Sequence, residues 1–108
     1  MMMLHIHHMK DSFFALPSDK QAELMAGVMA FAEKFLKNGK MKACYEFFDG
    51  KGSATIWDNA SAEEIMRIYL DYPVNSYIES KIIPVVEFEA AAKIMKEMMG
   101  AAQRATKK

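Results

Sequence analysis

The order of hydrophobic patterns along this chain constrains its fold more than any other feature: strand, helix, strand, strand, helix, strand, then a further helix. Residues 3–9, Met3-Leu4-His5-Ile6-His7-His8-Met9, read as a buried strand and carry all three histidines. Side chains alternate across a strand, so Leu4, Ile6 and His8 share one face while Met3, His5, His7 and Met9 share the other. Residues 10–16 read as a loop holding the apolar pair Phe13-Phe14. Pro17 follows, and Ser18-Asp19-Lys20-Gln21 has the spacing of a capping box. The helix it opens is expected to bury Met25, Val28, Met29, Ala32, Phe35 and Leu36. Asn38-Gly39 supplies residues able to adopt the left-handed conformation that ends a helix.

Met41–Asp49 reads as a second strand, rich in Cys, Tyr and Phe. Asp49-Gly50-Lys51-Gly52 is a turn, and Ser53–Asp58 returns as the hairpin partner. In that return strand Ala54 and Ile56 face opposite to Thr55 and Trp57. Ser61-Ala62-Glu63-Glu64 is a second capping-box spacing, opening a helix with Ile65, Ile68 and Tyr69 on its buried stripe. Pro73 is expected to close it. Ile78–Phe88 reads as the last strand, with Pro84 placing it at a sheet edge or a bulge. Glu89–Gly100 reads as a final helix using Ala91, Ile94, Met95 and Met98, followed by a basic, frayed tail over 101–108.

The resulting β-α-β-β-α-β order is that of an α+β, ferredoxin-like sandwich, here with an extra C-terminal helix. At 108 residues it is read as one domain, with its core over 3–88, the helix at 89–100 and the tail beyond. Both helices of the core cover one sheet face. The other apolar face then calls for a partner, and a homodimer formed face to face through the sheets is expected.

Charge narrows the function classes. Fourteen basic and fourteen acidic side chains cancel, so no global field attracts nucleic acid or an anionic membrane. No apolar run approaches the roughly 20 residues a bilayer span needs, and no secretory leader pattern opens the chain. Cys44 is the sole cysteine, which excludes an intramolecular disulfide and fits the reducing cytoplasm expected for this protein. The eleven methionines suit either ordinary core packing or a soft apolar pocket. A glycine-rich phosphate loop and a serine nucleophile elbow are both absent.

His5 and His7 are the first candidates for chemistry. They lie two apart on one strand face, and an ordinary histidine pKa of about 6.5 suits proton transfer at neutral pH. The alternative is that both merely hydrogen-bond within the dimer core; His8, on the other face, reads as structural. With a carboxylate such as Glu46 the pair could ligate a metal, but no compact Cys/His spacing supports this, and neither metal nor cofactor is expected. Glu46, between Tyr45 and Phe47, is a candidate acid or base if buried. Tyr45 and Tyr77 are candidates for lining a pocket and donating phenolic hydrogen bonds, with Thr55 and Trp57 expected as neighbours of the histidines. Tyr72 reads as a packing residue.

Several residue groups together resemble the muconolactone isomerase-like branch of the dimeric α/β-barrel superfamily. They are Leu4-His5-Ile6 in the first strand, Asn38-Gly39-Lys40 running into the strand with Tyr45, and Ala54–Asp58 leading into Asn59-Ala60-Ser61-Ala62-Glu63-Glu64. Leu70-Asp71-Tyr72-Pro73 with Tyr77 completes them. Two features depart from the pattern. His7-His8 stands where a lone basic side chain is expected, and the last helix extends beyond the compact core. The resemblance implies a cofactor-free isomerisation by proton transfer on a small hydrophobic or lactone-type molecule. His5 would be the proton carrier, His7 would tune it, and Glu46 or Tyr45 would orient the substrate. The alternative reading is a non-catalytic small-ligand-binding or oligomerisation domain of the same architecture.

Overall fold

β1 (Met2–Met9) is the centre of the molecule because both of its edges are paired. The computed structural model describes residues 2–106. After β1 come a short helix α1 (Asp11–Phe14), the long α2 (Ser18–Lys37), β2 (Met41–Glu46) and β3 (Gly52–Asp58). Then follow α3 (Ala62–Tyr69), a 3-10 turn (Asn75–Tyr77), β4 (Ile78–Val85) and α4 (Phe88–Thr106). The strands form one antiparallel sheet in the order β2-β3-β1-β4. This is the ferredoxin-like arrangement expected from the pattern order, with β4 at an edge, where the missing N–H of Pro84 is tolerated.

Register decides which residues meet. Met3, His5 and His7 stand opposite Trp57, Thr55 and Ser53 of β3, and opposite Pro84, Ile82 and Ser80 of β4. The β1 and β3 members of this row are buried under the helices, while Ile82 is half-buried and Ser80 and Pro84 are exposed at the edge; on the reverse face Leu4 and Ile6, with Ile56 and Ile83, are half-buried. In β2 a bulge between Met41 and Ala43 shifts the alternation. Met41, Cys44 and Glu46 therefore all turn to the helix side, and Tyr45 turns to the reverse face, opposite Ala54. Trp57, Ile65 and Val74 are fully buried, and Met3, Met41, Tyr69, Tyr72 and Ile78 complete the core around them.

Several local expectations are corrected. Residues 10–16 are not all loop: α1 forms there and buries Phe13 against the Tyr77 ring. α2 starts at Ser18 itself, so Ser18 is inside the helix and does not cap it. Gln21 instead turns its amide back to the carbonyls of Phe14 and Leu16, at 3.2 and 2.8 Å. The buried stripe of α2 is rotated by about one position. Met25, Met29 and Leu36 are exposed, whereas Leu24, Phe31 and Phe35 pack with Val28. Gly27 rests so close to Pro73 that an added Cβ would come within 2.9 Å of the proline ring, which holds the helix in that rotation.

β2 ends at Glu46 rather than Asp49, because Phe47–Lys51 make the turn, with Gly50 at φ 73°. β4 stops at Val85, and α3 ends at Tyr69, four residues before Pro73. The second capping residue is as expected, with the Glu64 amide donating to Ser61 Oγ at 3.1 Å. α4 is longer than its pattern, running to Thr106, and buries none of its residues; Ile94, Met95 and Met98 are exposed. The molecule is correspondingly elongated, 68 × 30 × 24 Å.

Gly52 is where the hairpin presses hardest on β1. A Cβ there would lie 2.1 Å from the His7 carbonyl oxygen, a backbone atom that cannot move aside without breaking the ladder. Gly52→Ala is expected to lower stability by at least about 2 kcal/mol, measured by urea denaturation. An alanine that leaves the midpoint unchanged would contradict the close approach.

Candidate functional site

The histidine pair is sealed between the sheet and α3. His5 is 1 % exposed and His7 4 % exposed. The His5 ring stacks on Tyr69 from α3, centroids 4.1 Å apart and planes 23° apart. His7 lies 5.6 Å from His5 and 5.6 Å from the Tyr72 ring. Tyr69 and Tyr72 are themselves packed edge to face, with Phe31 against both. Alternation along β1 brings the two imidazoles to this face, and α3 closes over them because Ile65 and Tyr69 lie one helical turn apart on its apolar side.

The two rings are satisfied differently. The Ser53 hydroxyl lies 3.3 Å from Nδ1 and 3.2 Å from Nε2 of His7, within reach of either nitrogen. Nδ1 of His5 is buried with no hydrogen-bonding partner among the described residues. Thr55 uses its hydroxyl elsewhere: it donates to the His5 carbonyl at 3.4 Å and accepts from the Trp57 indole at 2.9 Å. Leaving a buried polar atom unpaired costs about 1–3 kcal/mol. An unpaired nitrogen in the best-buried part of the sheet is therefore a local cost carried by the fold.

Burial sets the protonation states. His5 is lowered to about 4, first by burial and then by repulsion from His7; His7 is lowered to about 4 by burial and then by His8. Both rings are neutral at pH 7, each with one donor and one acceptor nitrogen. Tyr69 is pushed up to about 12, mainly by burial, with Thr55 and Trp57 offsetting part of the rise, and burial raises Tyr72 further. Both phenols stay protonated. The Cys44 thiol is raised by burial and by Glu46, to whose carboxylate it is 3.8 Å away, so it is a poor nucleophile.

Space lies on both sides of the pair, unequally. Toward β2 a narrow cleft between Cys44, Glu46, Ser53, Thr55, Tyr69 and Tyr72 holds about 10 Å³, room for at most one water. Toward β4 a cavity of about 190 Å³ is lined by His5, Met66, Tyr69, Leu70, Asn75, Ser80 and Ile82. A larger groove of about 430 Å³ runs between α2 and α3, past Lys34, Glu64, Arg67 and Asp71. It touches neither histidine and offers no buried unpaired group, so the cavity on the β4 side is the candidate site.

The candidates from the sequence are thus separated. His5 and His7 come together, with Thr55 beside them. Trp57 is wholly in the core, against Phe35 and Tyr69, and lines no cavity. Tyr45 is 64 % exposed on the reverse sheet face. Tyr77 packs on Phe13 at the far end of β1. Glu46 is exposed, facing Ser53 across the ladder on the side away from the cavity. No three metal-ligating side chains converge among the described residues. The residues that sequence reasoning missed are Tyr69 as the ring stacked on His5, and Asn75, Ser80 and Ile82 as cavity wall. Ile82 and Ser80 follow from alternation once β4 is paired to β1; Asn75 carries no local signal.

Stability should report the buried neutral pair. The unfolded chain protonates its histidines near 6.5, the folded chain only near 4. Between these values the unfolded state binds more protons, so stability is full above pH 6.5 and falls as pH falls toward 4. The loss is on the order of 3 kcal/mol or more for the two rings together. Urea midpoints at pH 7.5 and pH 5.0 should differ clearly for the native sequence and much less for His5→Gln/His7→Gln. Equal pH slopes in the two proteins would contradict the buried-neutral assignment.

No family model and no curated protein matches this chain. Solved structures do. Muconolactone isomerase superposes with a TM-score of 0.65 over 81 % of this chain and 90 % of its own, at 16 % identity. The 5-chloro-2-hydroxyhydroquinone dehydrochlorinase TftG from Burkholderia phenoliruptrix AC1100, solved with 2,5-dihydroxybenzoquinone, superposes with a TM-score of 0.60. That match covers 83 % of this chain and 98 % of the dehydrochlorinase, at 15 % identity. These matches agree, at the level of the fold, with the resemblance read from the sequence: this chain is built on the ferredoxin-like fold of muconolactone isomerase and the dehydrochlorinase.

Proposed function

We propose that this protein is a cofactor-free, isomerase-type enzyme that moves a proton on a small hydrophobic or lactone-type molecule bound beside His5. The observation that carries the reading is His5, a buried ring whose Nδ1 has no partner among the described residues, on the wall of an otherwise mostly apolar cavity. A pocket of that kind, apolar with a few convergent polar groups, is the usual form of a small-molecule site. The two superposed neighbours, an isomerase and a dehydrochlorinase by name, lend the reading support only through their shared fold.

In this mechanism His5 takes a proton from a carbon next to a carbonyl and returns it elsewhere on the same molecule. A ring whose conjugate acid has a pKa of about 4 is a weak base, so it serves only hydrogens already acidified by the adjacent carbonyl. Its advantage is that it is unprotonated at every physiological pH. The enolate formed needs a hydrogen-bond donor on its oxygen, and the Ser80 hydroxyl and Asn75 amide stand on the same cavity wall. His7, 5.6 Å away, further disfavours a charged His5, because the two rings repel each other when both are protonated. Glu46 takes part only at a distance, along the β2 side.

The open sheet face fits the homodimer expected from the pattern. Leu4, Ile6, Ile56 and Ile83 are half-covered, and Tyr45, Val86 and Phe88 are exposed beside them or just beyond β4. A purely binding or oligomer-forming role is the second reading, and the weak basicity of His5 favours it.

Solvent-deuterium incorporation into muconolactone-type lactones separates the two readings. His5→Gln should lower exchange at least about 100-fold while the fold persists, and His7→Gln should lower it less. Unchanged turnover in both would overturn the mechanism and leave the binding role. Native mass spectrometry should find a dimer; a clean monomer at micromolar concentration would contradict the sheet-to-sheet association.

A further inference from the structure

Among the described α-helices, α4 alone buries no residue. Phe88 is 78 % exposed and Met98 66 %. The helix is about 28 Å long at its rise of about 1.5 Å per residue, in a molecule whose longest extent is 68 Å. A helix this short is marginal in water without packing for its apolar face, so the stripe calls for a surface that its own chain does not supply. The stripe repeats every seven residues. Phe88, Met95 and Ala102 form one series, and Ala91, Met98 and Ala105 form a second, offset by three. These are the a and d positions of a helix that packs on another helix. Ile94 and Met99 widen the stripe, whereas Glu89, Lys93, Lys96, Glu97 and Arg104 all fall at b, c and f positions on the opposite side.

We propose that α4 pairs antiparallel with α4 of a second copy of this chain. Size complementarity selects this occupant and its direction. Antiparallel pairing sets Phe88 against the partner's Ala105, Ala91 against the partner's Ala102 and Met95 against the partner's Met98. The bulkiest side chain then meets the smallest at both ends, and the adaptable methionines meet in the middle. A parallel pair would crowd Phe88 on the partner's Phe88 and leave alanine facing alanine at the other end. Charge selects the same direction. The first turn of α4 carries Glu89 and its last turn Arg104, so antiparallel pairing lays an acidic end beside a basic one and sets the two helix dipoles head to tail. The seven-residue repeat points to a helix rather than to the open sheet face, because only a helical partner presents holes at that period. This contact is separate from the sheet-to-sheet dimer and does not rest on it; where both form, α4 joins two such dimers. The seam is short, so the pairing is weaker than a broad sheet contact and grows with protein concentration.

The test compares the full native chain with Met95→Glu/Met98→Glu by sedimentation equilibrium over a rising concentration series. Both methionines are exposed and outside the core, so the variant keeps its fold, which near-UV circular dichroism of the buried Trp57 and Tyr69 checks. The expected result is a native mass that climbs to about twice that of the variant, whether or not the sheet-to-sheet dimer forms. Equal masses throughout the series would overturn the inference. Direction is read by oxidative cross-linking of Phe88→Cys and Ala105→Cys chains, each in a Cys44→Ser background. Antiparallel pairing predicts a disulfide between positions 88 and 105 when the two chains are mixed, and little cross-linking of either chain alone. Cross-linking of each chain alone, without the mixed product, would overturn the antiparallel arrangement. A lowered mass for the glutamate variant with no cross-link of any kind would place α4 on another part of the second copy and overturn the helix-to-helix seam.

Discussion

The stacking of Tyr69 on His5 joins the two layers of this protein at its most buried point, and the rest of the structure depends on it. β1 is paired on both edges, so its odd-numbered residues have nowhere to go but against the helices. Two of those residues are imidazoles. A polar ring is tolerated there because it is neutral, because its flat face packs on another flat ring, and because Thr55, Trp57 and Ser53 absorb the nearby polar groups. What is left over is one buried nitrogen of His5 without a partner, in a ring that also borders the cavity between α3 and β4.

The same ring links the fold to the proposed function. Burial that makes the sandwich stable also holds the pair unprotonated, which is the state the proposed proton transfer requires of His5. The same burial limits it. A base this weak needs a substrate that supplies its own acidity, which matches lactone- or enone-like chemistry better than the abstraction of an unactivated hydrogen. Fold and chemistry are thus constrained by a single environment.

Much of the architecture was legible because it rests on local period. Strand alternation placed His5 and His7 on one face, Ser61 announced α3, and the pattern order led to the sheet topology. Other features depend on contacts far apart in the chain. The stripe of α2 was misplaced by one position because Gly27 and Pro73, distant in sequence, set its rotation. A bulge at Met41/Ala43 that no period reveals turns Tyr45 to the reverse face and Glu46 to the helix side. The cavity was hidden for the same reason: its walls come from β1, α3, the turn at Asn75 and β4, and only their pairing brings Asn75 and Ser80 to His5. The apolar stripe on α4 was read correctly as a stripe, but it has no surface of its own chain to cover.

His5 is a neutral, buried ring at physiological pH rather than an ordinary surface-like histidine. Titrating the three histidine side chains by NMR from pH 8 to pH 4 tests it directly. The His5 and His7 signals are expected to stay in their neutral positions through pH 6 and to move only as pH nears about 4, with His5 Nδ1 lacking the shift of a hydrogen-bonded nitrogen. Inflection of both rings close to 6.5, the value of a solvated imidazole, would contradict it.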